Sequence, residues 1–377
     1  MESKKTGILT LPLNTNYGGI LQNFALQQVL KKQGHNPVTI NYDYIVKLPL
    51  ATGPLIYLKN IILRYILKKK VVLFPDIALN KLRKVQRQKT DLFIKGYIDC
   101  IYIKSTKQLN SKEYKCLIVG SDQIWRHAYN GCFPGVSNSF LDFAKEWNVK
   151  RIAYAASFGT DEWEYNEEET KICSELAQKF DAISVREASA VNICKKRLGV
   201  DAMHVLDPTM LLAAEDYKKL FIDAGTPQSP GNLMCYILDP SNETNNIIKL
   251  VAKSHELIPF HTNSRVEDDT APIKERVQPP VENWLRGFHD AQYVITDSFH
   301  ACVFSILFNK PFIVYGNKER GMARFNSLLS IFNLQDRLVA TPQEAETVIN
   351  KAINWEEVNN ILEEWREKSN NFLKAHL

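Results

Sequence analysis

Short apolar runs of strand length alternate with helical stretches along most of the chain, and this alternation constrains the fold more than any other feature. In the first half the runs are residues 7–11, 37–41, 116–119, 151–156, 182–185 and 203–206. A second series follows at 233–238, 257–261, 293–296 and 311–315. Strands separated by helices predict βαβ units with parallel sheets. We therefore expect an α/β protein with two such layers in tandem.

The length agrees with two units, because 377 residues exceed what one hydrophobic core usually supports. We place the boundary near Asp207-Pro208-Thr209, where a strand ends at a proline, which gives an N-terminal domain of 1–209 and a C-terminal domain of 210–377. The Gly/Pro/Ser stretch 225–231 is the alternative boundary. Residues 341–377 have the pattern of two helices, the second of which could pack on either domain.

Composition excludes several classes of protein. With 45% hydrophobic and 24% charged residues, the chain is neither disordered nor collagen-like. A net charge of +5 gives no indication of nucleic-acid binding. The seven cysteines have no CxxC spacing, which argues against a zinc site or disulfide framework and favours a reducing cytoplasm. No uninterrupted apolar stretch is long enough to cross a bilayer.

One basic segment, near 55–90, interrupts the first series. Residues 59–89 contain ten Lys or Arg and a single acid, Asp76. Apolar residues accompany the first of these at near-helical spacing, from Leu55 to Leu67. A basic amphipathic helix of this kind is typical of peripheral contact with an anionic membrane. The alternative is a surface helix whose basic face is only solvated.

The first βα turn contains a glycine pair, Gly18-Gly19, after the first predicted strand. Such a pair lets the backbone approach a ligand and leaves N–H groups at the positive end of the helix, where they suit an anion or sugar hydroxyls. Alternatively, the glycines permit tight helix–strand packing. The candidate ligand residues of this turn are Asn16, Tyr17, Gly18, Gly19, Gln22 and Asn23.

Polar side chains also follow later strands, where open α/β sheets form binding crevices. Ser121, Asp122, Gln123 and Trp125 follow one strand, and Ser157 follows the next. Asp122 could instead cap a helix. Trp125 suits either a sugar-binding platform or the core.

Arg186 comes directly after a buried strand, where an unpaired guanidinium is costly. It therefore either meets Glu187 or another acid, or binds an anionic ligand through its planar fork.

His300 is the best single catalytic candidate, because it lies between a strand and an apolar helix. Asp297 or Ser298 would cap that helix, and His300 would lie in its first turn, near the positive end of the dipole. Arg320 and Arg324 supply further cations downstream.

Several of these motifs, taken together and in order, resemble the polysaccharide pyruvyl transferase family, from about residue 6 to about residue 335. They are Asn16-Tyr17-Gly18-Gly19 with Gln22-Asn23, Gly120-Ser121-Asp122-Gln123-Ile124-Trp125, Ser157-Phe158-Gly159, Ser184-Val185-Arg186-Glu187, Asp207-Pro208-Thr209 and Thr296-Asp297-Ser298-Phe299-His300. The resemblance implies two Rossmann-like parallel-sheet domains in a glycosyltransferase-B-like arrangement. It also implies phosphoenolpyruvate as donor and a sugar hydroxyl pair of a bacterial surface glycan, or its lipid-linked precursor, as acceptor. The product would be a pyruvate ketal, formed with release of phosphate and without a metal or redox cofactor.

Under this resemblance the C-terminal domain binds the donor and the N-terminal domain binds the acceptor. The catalytic residues would be His300, Asp122 and Arg186. The donor would contact Arg186, Ser298, His300, Arg320 and Arg324. The acceptor would contact the six residues of the first turn together with Ser121, Asp122, Gln123, Trp125 and Ser157. Some members carry Arg-Leu-His where this chain has Ser298-Phe299-His300, so other arginines would hold the donor charges.

Two other functions fit the same residues. A sugar-nucleotide glycosyltransferase would use the same fold, with Glu319 as the candidate ribose ligand. A non-catalytic glycan-binding subunit would bind a sugar without turnover.

Overall fold

The chain folds into two parallel β-sheets flanked by helices in the computed structural model, which describes residues 4–42, 46, 48–132, 135–266, 268–316 and 321–377. The first sheet has the order β3-β2-β1-β4-β5-β6-β7. Its strands are β1 (Lys5–Leu9), β2 (Pro37–Tyr42), β3 (Cys100–Ile103), β4 (Tyr114–Val119), β5 (Lys150–Ala156), β6 (Ala182–Val185) and β7 (Met203–His204). The strand order reverses between β1 and β4, so the loops after these two strands flank a crevice.

The second sheet has the order β12-β11-β10-β8-β9 and is also parallel. Its strands are β8 (Leu233–Tyr236), β9 (Pro259–His261), β10 (Tyr293–Thr296), β11 (Phe312–Tyr315) and β12 (Leu338–Val339). Here the order reverses between β8 and β10, which places the loop after β10 at the corresponding crevice. The boundary placed at residue 209 falls between the two sheets.

Helices cover the faces of both sheets. They are α1 (Tyr17–Lys32), α2 (Gly53–Tyr65), α3 (Pro75–Gln86), α4 (Gln88–Tyr97), α5 (Glu167–Ala177), α6 (Ala188–Ile193), α7 (Ala214–Asp223), α8 (Asn242–Ser254), α9 (Val281–Asp290), α10 (Phe299–Leu307), α11 (Met322–Ile331), α12 (Pro342–Val348) and α13 (Trp355–His376). The start of α1 follows from its sequence, because the Asn16 side chain accepts a hydrogen bond from the Gly18 N–H. Among the described residues, none of the helices is long and apolar enough to cross a membrane.

Each of the ten predicted runs contains a strand, and all of these strands pair in parallel. The sequence analysis missed β3 and β12. Both lie at the edges of their sheets, and β12 has only two residues, too few to show a pattern, whereas β3 is an apolar run of the same kind as the predicted strands.

The two domains share an apolar interface in which Tyr17 is an anchor. Its ring packs 5.4 Å from Trp284 and 6.1 Å from Tyr236, between ring centroids. Its hydroxyl donates a hydrogen bond of 2.9 Å to the carbonyl of Pro279 in the second domain. Tyr17 is completely buried by these contacts. The structure thus places Tyr17, a predicted acceptor contact, in the interface between the domains.

The last helix, α13, returns to the first domain. The Arg366 side chain donates to the carbonyls of Met210 and Leu212, at 2.6 and 2.7 Å. The Ser369 hydroxyl accepts the N–H of Leu206 at 3.0 Å. The terminal helix thus joins the first domain, although the predicted division at residue 209 assigned it to the second.

Candidate functional site

His300 reaches from the second domain into the first. The Asp297 carboxylate accepts the N–H groups of Leu238 and Asp239, at 2.7 and 2.8 Å, and so ties the end of β10 to the loop after β8. This holds the start of α10, in which His300 occupies the first turn. The imidazole packs directly on Gly18, because a Cβ added there would lie 2.0 Å from Nδ1. Gly18 is therefore needed for the close approach of the two domains.

The other side of the His300 ring faces Asp207. The distance from Nε2 of His300 to Oδ2 of Asp207 is 3.5 Å, and the His300 side chain is only 8% exposed. Asp207 Oδ1 accepts two hydrogen bonds from Thr209, at 3.0 Å from its N–H and 2.7 Å from its hydroxyl. These bonds fix the carboxylate opposite the ring.

Arg186 joins Asp207 to two further acids. Its guanidinium lies 2.9 Å from Asp207, 3.4 Å from Glu187 and 3.7 Å from Asp122. Burial would lower the pKa of Arg186, but the three carboxylates raise it above its ordinary value. Of the two alternatives for Arg186, the structure shows pairing with acids.

Asp207 remains ionised in this buried cluster. Burial would raise its pKa, but His300, Arg186 and the hydrogen bonds from Thr209 hold it well below its usual range. Ser121 also donates a hydrogen bond to Asp207 Oδ2, at 3.2 Å. Asp207 and Glu187 were missed as site residues by the sequence analysis, which treated the first as a boundary marker. The available signal was an acid at the end of an apolar run, directly after it for Asp207 and one residue later for Glu187.

Asp122 lies at the crevice between β1 and β4, in a strained backbone conformation. Its φ of 64° is in the left-handed region, which an aspartate adopts more readily than most residues. Its carbonyl accepts the N–H groups of Ile124 and Ser157, at 2.8 and 3.2 Å. A Cβ on Gly19 would lie 3.7 Å from its carboxylate, so Asp122 faces the first turn of α1. The structure does not use Asp122 as a helix cap.

Ser157 and Gln123 line the same edge. The Ser157 hydroxyl donates to Glu187 at 2.6 Å and accepts the N–H of Gly159 at 3.1 Å. The Gln123 side chain accepts from Arg126 at 2.9 Å and packs on Gly159. Ser157 thus holds Glu187 in place, while Gln123 packs beside it against the loop after β5.

Phe299 brings two arginines together. The guanidinium carbons of Arg186 and Arg324 lie 4.4 and 5.6 Å from the centroid of its ring. Burial and the nearby charge of Arg186 lower the pKa of Arg324 to about 10, so Arg324 remains a cation at neutral pH. Ser298 precedes α10, and its side chain makes no capping hydrogen bond. Arg320, together with Glu319, lies outside the described residues.

Four predicted ligand residues have other contacts. Trp125 is completely buried, its ring stacks on Phe140 at 4.7 Å between centroids, and its indole N–H donates to the Ser139 carbonyl. These contacts favour a role in the core over one as a sugar-binding platform. Gln22 and Asn23 are also buried, and they hydrogen-bond to Thr10 and Thr39 beneath α1. Asn16 caps α1. The predicted direct roles of Trp125, Gln22 and Asn23 in acceptor binding are not supported by these positions.

Three polar atoms at the centre of the cluster are buried without a hydrogen-bond partner in the described part of the chain. They are Nη2 of Arg186, Oε2 of Glu187 and Nε2 of His300. Buried polar atoms are rarely left unpaired unless a ligand or water completes them. This cluster, which we call the cross-domain cluster, consists of Asp122, Arg186, Glu187, Asp207 and His300. It combines carboxylates that accept protons with a histidine that donates or accepts them.

A groove of about 440 Å³ between the domains opens beside the cluster. Its lining includes Ala188 and Ala323, the immediate chain neighbours of Glu187 and Arg324. His204 and Trp365 form part of its wall. Within the described ranges, no group of three or more His, Cys, Asp or Glu side chains is arranged to hold a metal ion.

Solved structures are similar to this chain over nearly its whole length. The Arabidopsis thaliana protein UGT89C1 complexed with UDP-L-rhamnose has a TM-score of 0.50 and 7% identity, over 98% of this chain and 98% of its own. UDP-GlcNAc 2-epimerase from Neisseria meningitidis bound to UDP-GlcNAc has a TM-score of 0.43 and 12% identity, over 97% and 100%. The first similarity, together with the two parallel sheets, confirms two Rossmann-like domains in a glycosyltransferase-B-like arrangement.

No curated protein matches the chain. The family model for polysaccharide pyruvyl transferase matches residues 16–319, which include every residue of the cross-domain cluster. Because this match covers most of the sequence, the chain belongs to the polysaccharide pyruvyl transferase family, a family of transferases.

Proposed function

We propose that the protein transfers pyruvate from phosphoenolpyruvate to two hydroxyls of a saccharide, forming a ketal and releasing phosphate. The observation that carries this proposal is the cross-domain cluster, where His300 of one domain lies 3.5 Å from the ionised Asp207 of the other. A reaction that moves protons between an enol carbon and sugar hydroxyls needs an acid and a base that face one reacting centre. Membership of the family supports the same chemistry.

The atoms balance without an additional reactant. Two hydroxyl oxygens form bonds to C2 of phosphoenolpyruvate, and the bond from C2 to the phosphate oxygen breaks. One hydroxyl proton is balanced by the proton added at C3, which becomes a methyl group. The proton of the second hydroxyl leaves with the phosphate. This scheme requires neither a metal nor a redox cofactor.

His300 delivers the proton to C3 in this proposal. Asp207 receives two hydrogen bonds from Thr209 and one from Arg186, so it is held in place and orients the imidazole. The donating atom is Nε2 of His300, which lies 3.5 Å from Oδ2 of Asp207 and makes no hydrogen bond among the described residues. Asp122, which faces the first turn of α1, accepts the proton of the attacking hydroxyl.

The donor anions bind where α10 begins. N–H groups of its first turn point toward that end, and Ser298 makes no side-chain cap there, so the turn suits a carboxylate or phosphate. Arg324 contributes positive charge from the second domain, across the ring of Phe299. Arg186 contributes through Nη2, which makes no hydrogen bond among the described residues and lies 3.7 Å from Asp122. In this proposal the second domain thus supplies most of the groups that bind the donor.

The acceptor is a bacterial surface glycan or its lipid-linked precursor, and it binds against the first domain beside Asp122 and Gln123. The groove lined by His204 and Trp365, which also contains Ala188 next to Glu187, offers space for the rest of the saccharide. The enzyme works in the cytoplasm, at the inner face of the cytoplasmic membrane, where such precursors are assembled.

The test is phosphate release from phosphoenolpyruvate with a panel of galactosyl, mannosyl and glucosyl acceptors, with mass spectrometry of the products. We expect acceptor-dependent release and a product heavier by one pyruvate ketal. His300→Ala should reduce turnover about a hundredfold or more while the protein remains folded. A loss of less than about threefold would remove His300 from the mechanism.

Titration with UDP distinguishes the alternative glycosyltransferase. Tight binding of a nucleotide sugar, with no phosphate release from phosphoenolpyruvate, would replace pyruvyl transfer by glycosyl transfer. Binding of a saccharide without turnover of either donor would instead indicate a glycan-binding subunit.

A further inference from the structure

Helices α2 and α3, with the residues that connect them, form a hairpin over residues 53–86 that exposes most of its apolar side chains. We call it the basic hairpin. In it only Gly53 and Gln86 are buried. Of the 19 large hydrophobic residues that are exposed in the described chain, 11 belong to it: Leu55, Leu58, Ile61, Ile62, Tyr65, Ile66, Leu67, Val72, Phe74, Ile77 and Leu79. Exposed apolar residues concentrated in this way mark an interaction surface.

The hairpin is held in shape by its own contacts. The Tyr57 hydroxyl donates to the Asp76 carboxylate at 2.8 Å, and its ring meets Phe74 at 5.0 Å. The Asn60 side chain donates to the Val72 carbonyl at 3.0 Å. These contacts join the two helices across the connection. The apolar side chains are therefore presented outward by an ordered unit.

The same region carries a strong net positive charge. Residues 53–89 contain ten Lys or Arg and one acid, so they carry +9, whereas the whole chain carries +5 and the remainder therefore carries −4. The one acid, Asp76, is hydrogen-bonded to Tyr57. Three consecutive lysines, Lys68, Lys69 and Lys70, directly follow the exposed Ile66 and Leu67. Basic and apolar groups are thus adjacent where the two helices connect.

We infer that the basic hairpin docks the protein onto the surface of an anionic lipid bilayer. A surface that is both basic and apolar matches such an interface, where lysines meet lipid phosphates and isoleucine and leucine side chains enter the headgroup boundary. The acidic remainder of the chain would be repelled by the same surface, which orients the protein with the hairpin toward the lipid.

The base of the hairpin is attached at the mouth of the cleft between the domains. Gln86 accepts the N–H of Gln278 and donates to the carbonyl of Val266, both at 2.9 Å. Thr90, at the start of α4, donates to the carbonyl of Asn14 in the loop after β1, at 2.8 Å. Docking would therefore hold both domains and the β1–α1 loop near the lipid. This inference stands apart from the proposed reaction, because it depends only on the hairpin.

The test is flotation of the intact protein with vesicles of phosphatidylcholine alone or mixed with phosphatidylglycerol. We expect binding only to the mixed vesicles, weakened by added salt. Replacing three lysines together (Lys68→Gln, Lys69→Gln, Lys70→Gln) should weaken binding roughly a hundredfold. The pair Ile66→Asn and Leu67→Asn should weaken it by about tenfold or more.

The matched control removes the same amount of charge from an exposed turn of the first domain (Lys195→Gln, Lys196→Gln, Arg197→Gln) and should bind like the wild type. Absence of wild-type binding to any vesicle overturns the inference, as does equal binding by all variants. Sedimentation velocity tests a second copy of the chain as the occupant. A wild-type dimer that the Ile66→Asn and Leu67→Asn pair converts to a monomer would overturn lipid docking.

Discussion

Gly18 contacts the imidazole of His300 across the domain boundary, so an added methyl group there tests the cross-domain cluster directly. In Gly18→Ala the new Cβ would lie 2.0 Å from Nδ1 of His300 and 2.4 Å from its Cγ. An ordinary contact needs about 3.5 Å, so the ring has to retreat by about 1.5 Å or the domains have to separate. Either movement changes the 3.5 Å separation between Nε2 of His300 and Oδ2 of Asp207.

Displacement of a catalytic group by about 1 Å is enough to lower the rate about a hundredfold. We therefore expect kcat/KM for acceptor-dependent phosphate release to fall about a hundredfold in Gly18→Ala. Overpacking of this kind should also cost about 1 to 3 kcal/mol of unfolding free energy, measured by urea denaturation.

Gly19→Ala is the matched control, because it adds the same methyl group at the next position of the same helical turn. Its nearest neighbour would be the Asn16 side chain at 3.5 Å, an ordinary contact. We expect near wild-type activity and a small gain in stability, of about 0.5 to 1 kcal/mol, from better helix propensity. Wild-type activity in Gly18→Ala, or equal losses in both variants, would refute the packing of His300 on Gly18.

Three further changes test the remaining assignments. Asp207→Asn should cost about 3 kcal/mol at pH 7, because it removes the charge of the carboxylate that lies 2.9 Å from the buried guanidinium of Arg186. The pKa of Asp207 is held below its value in the unfolded chain, so the stabilisation by its carboxylate is complete above about pH 4 and declines as the pH falls further. A difference in unfolding free energy between wild type and Asp207→Asn that instead grows toward low pH would contradict the ionised state. Trp125→Phe should cost about 1 to 2 kcal/mol through loss of the bond to Ser139, with the acceptor KM unchanged, whereas a raised KM in a stable variant would restore the sugar-platform role. Arg324→Gln should raise the KM for phosphoenolpyruvate about tenfold and leave the acceptor KM unchanged, and the opposite pattern would place the donor elsewhere.

Local patterns in the sequence were sufficient to predict the parallel sheets. Ten of the twelve strands coincide with a predicted apolar run, and the runs at residues 116–119 and 293–296 are strands in the interior of their sheets. The same patterns predicted that the polar residues after these strands would approach one another, since the carboxyl ends of parallel strands share an edge. Asp122 and Arg186 do lie together, 3.7 Å apart.

The contacts of those side chains were decided only by tertiary structure. Arg186 could have faced a ligand or an acid, and it meets three acids because residues after β4, β6 and β7 converge on it. Trp125 follows a strand as a ligand-binding residue would, yet the packing of Phe140 on its ring places it in the core.

The interface between the domains shows most clearly which contacts cannot be predicted from local sequence patterns. The sequence by itself determined that Gly18 and His300 each follow a strand and each begin a helix, because those are properties of neighbouring residues. Their contact, and the bond from Tyr17 to Pro279 across 262 positions of the chain, required the two domains to pack in one particular way. That packing results from complementary shapes and buried area summed over distant segments, which no local pattern encodes.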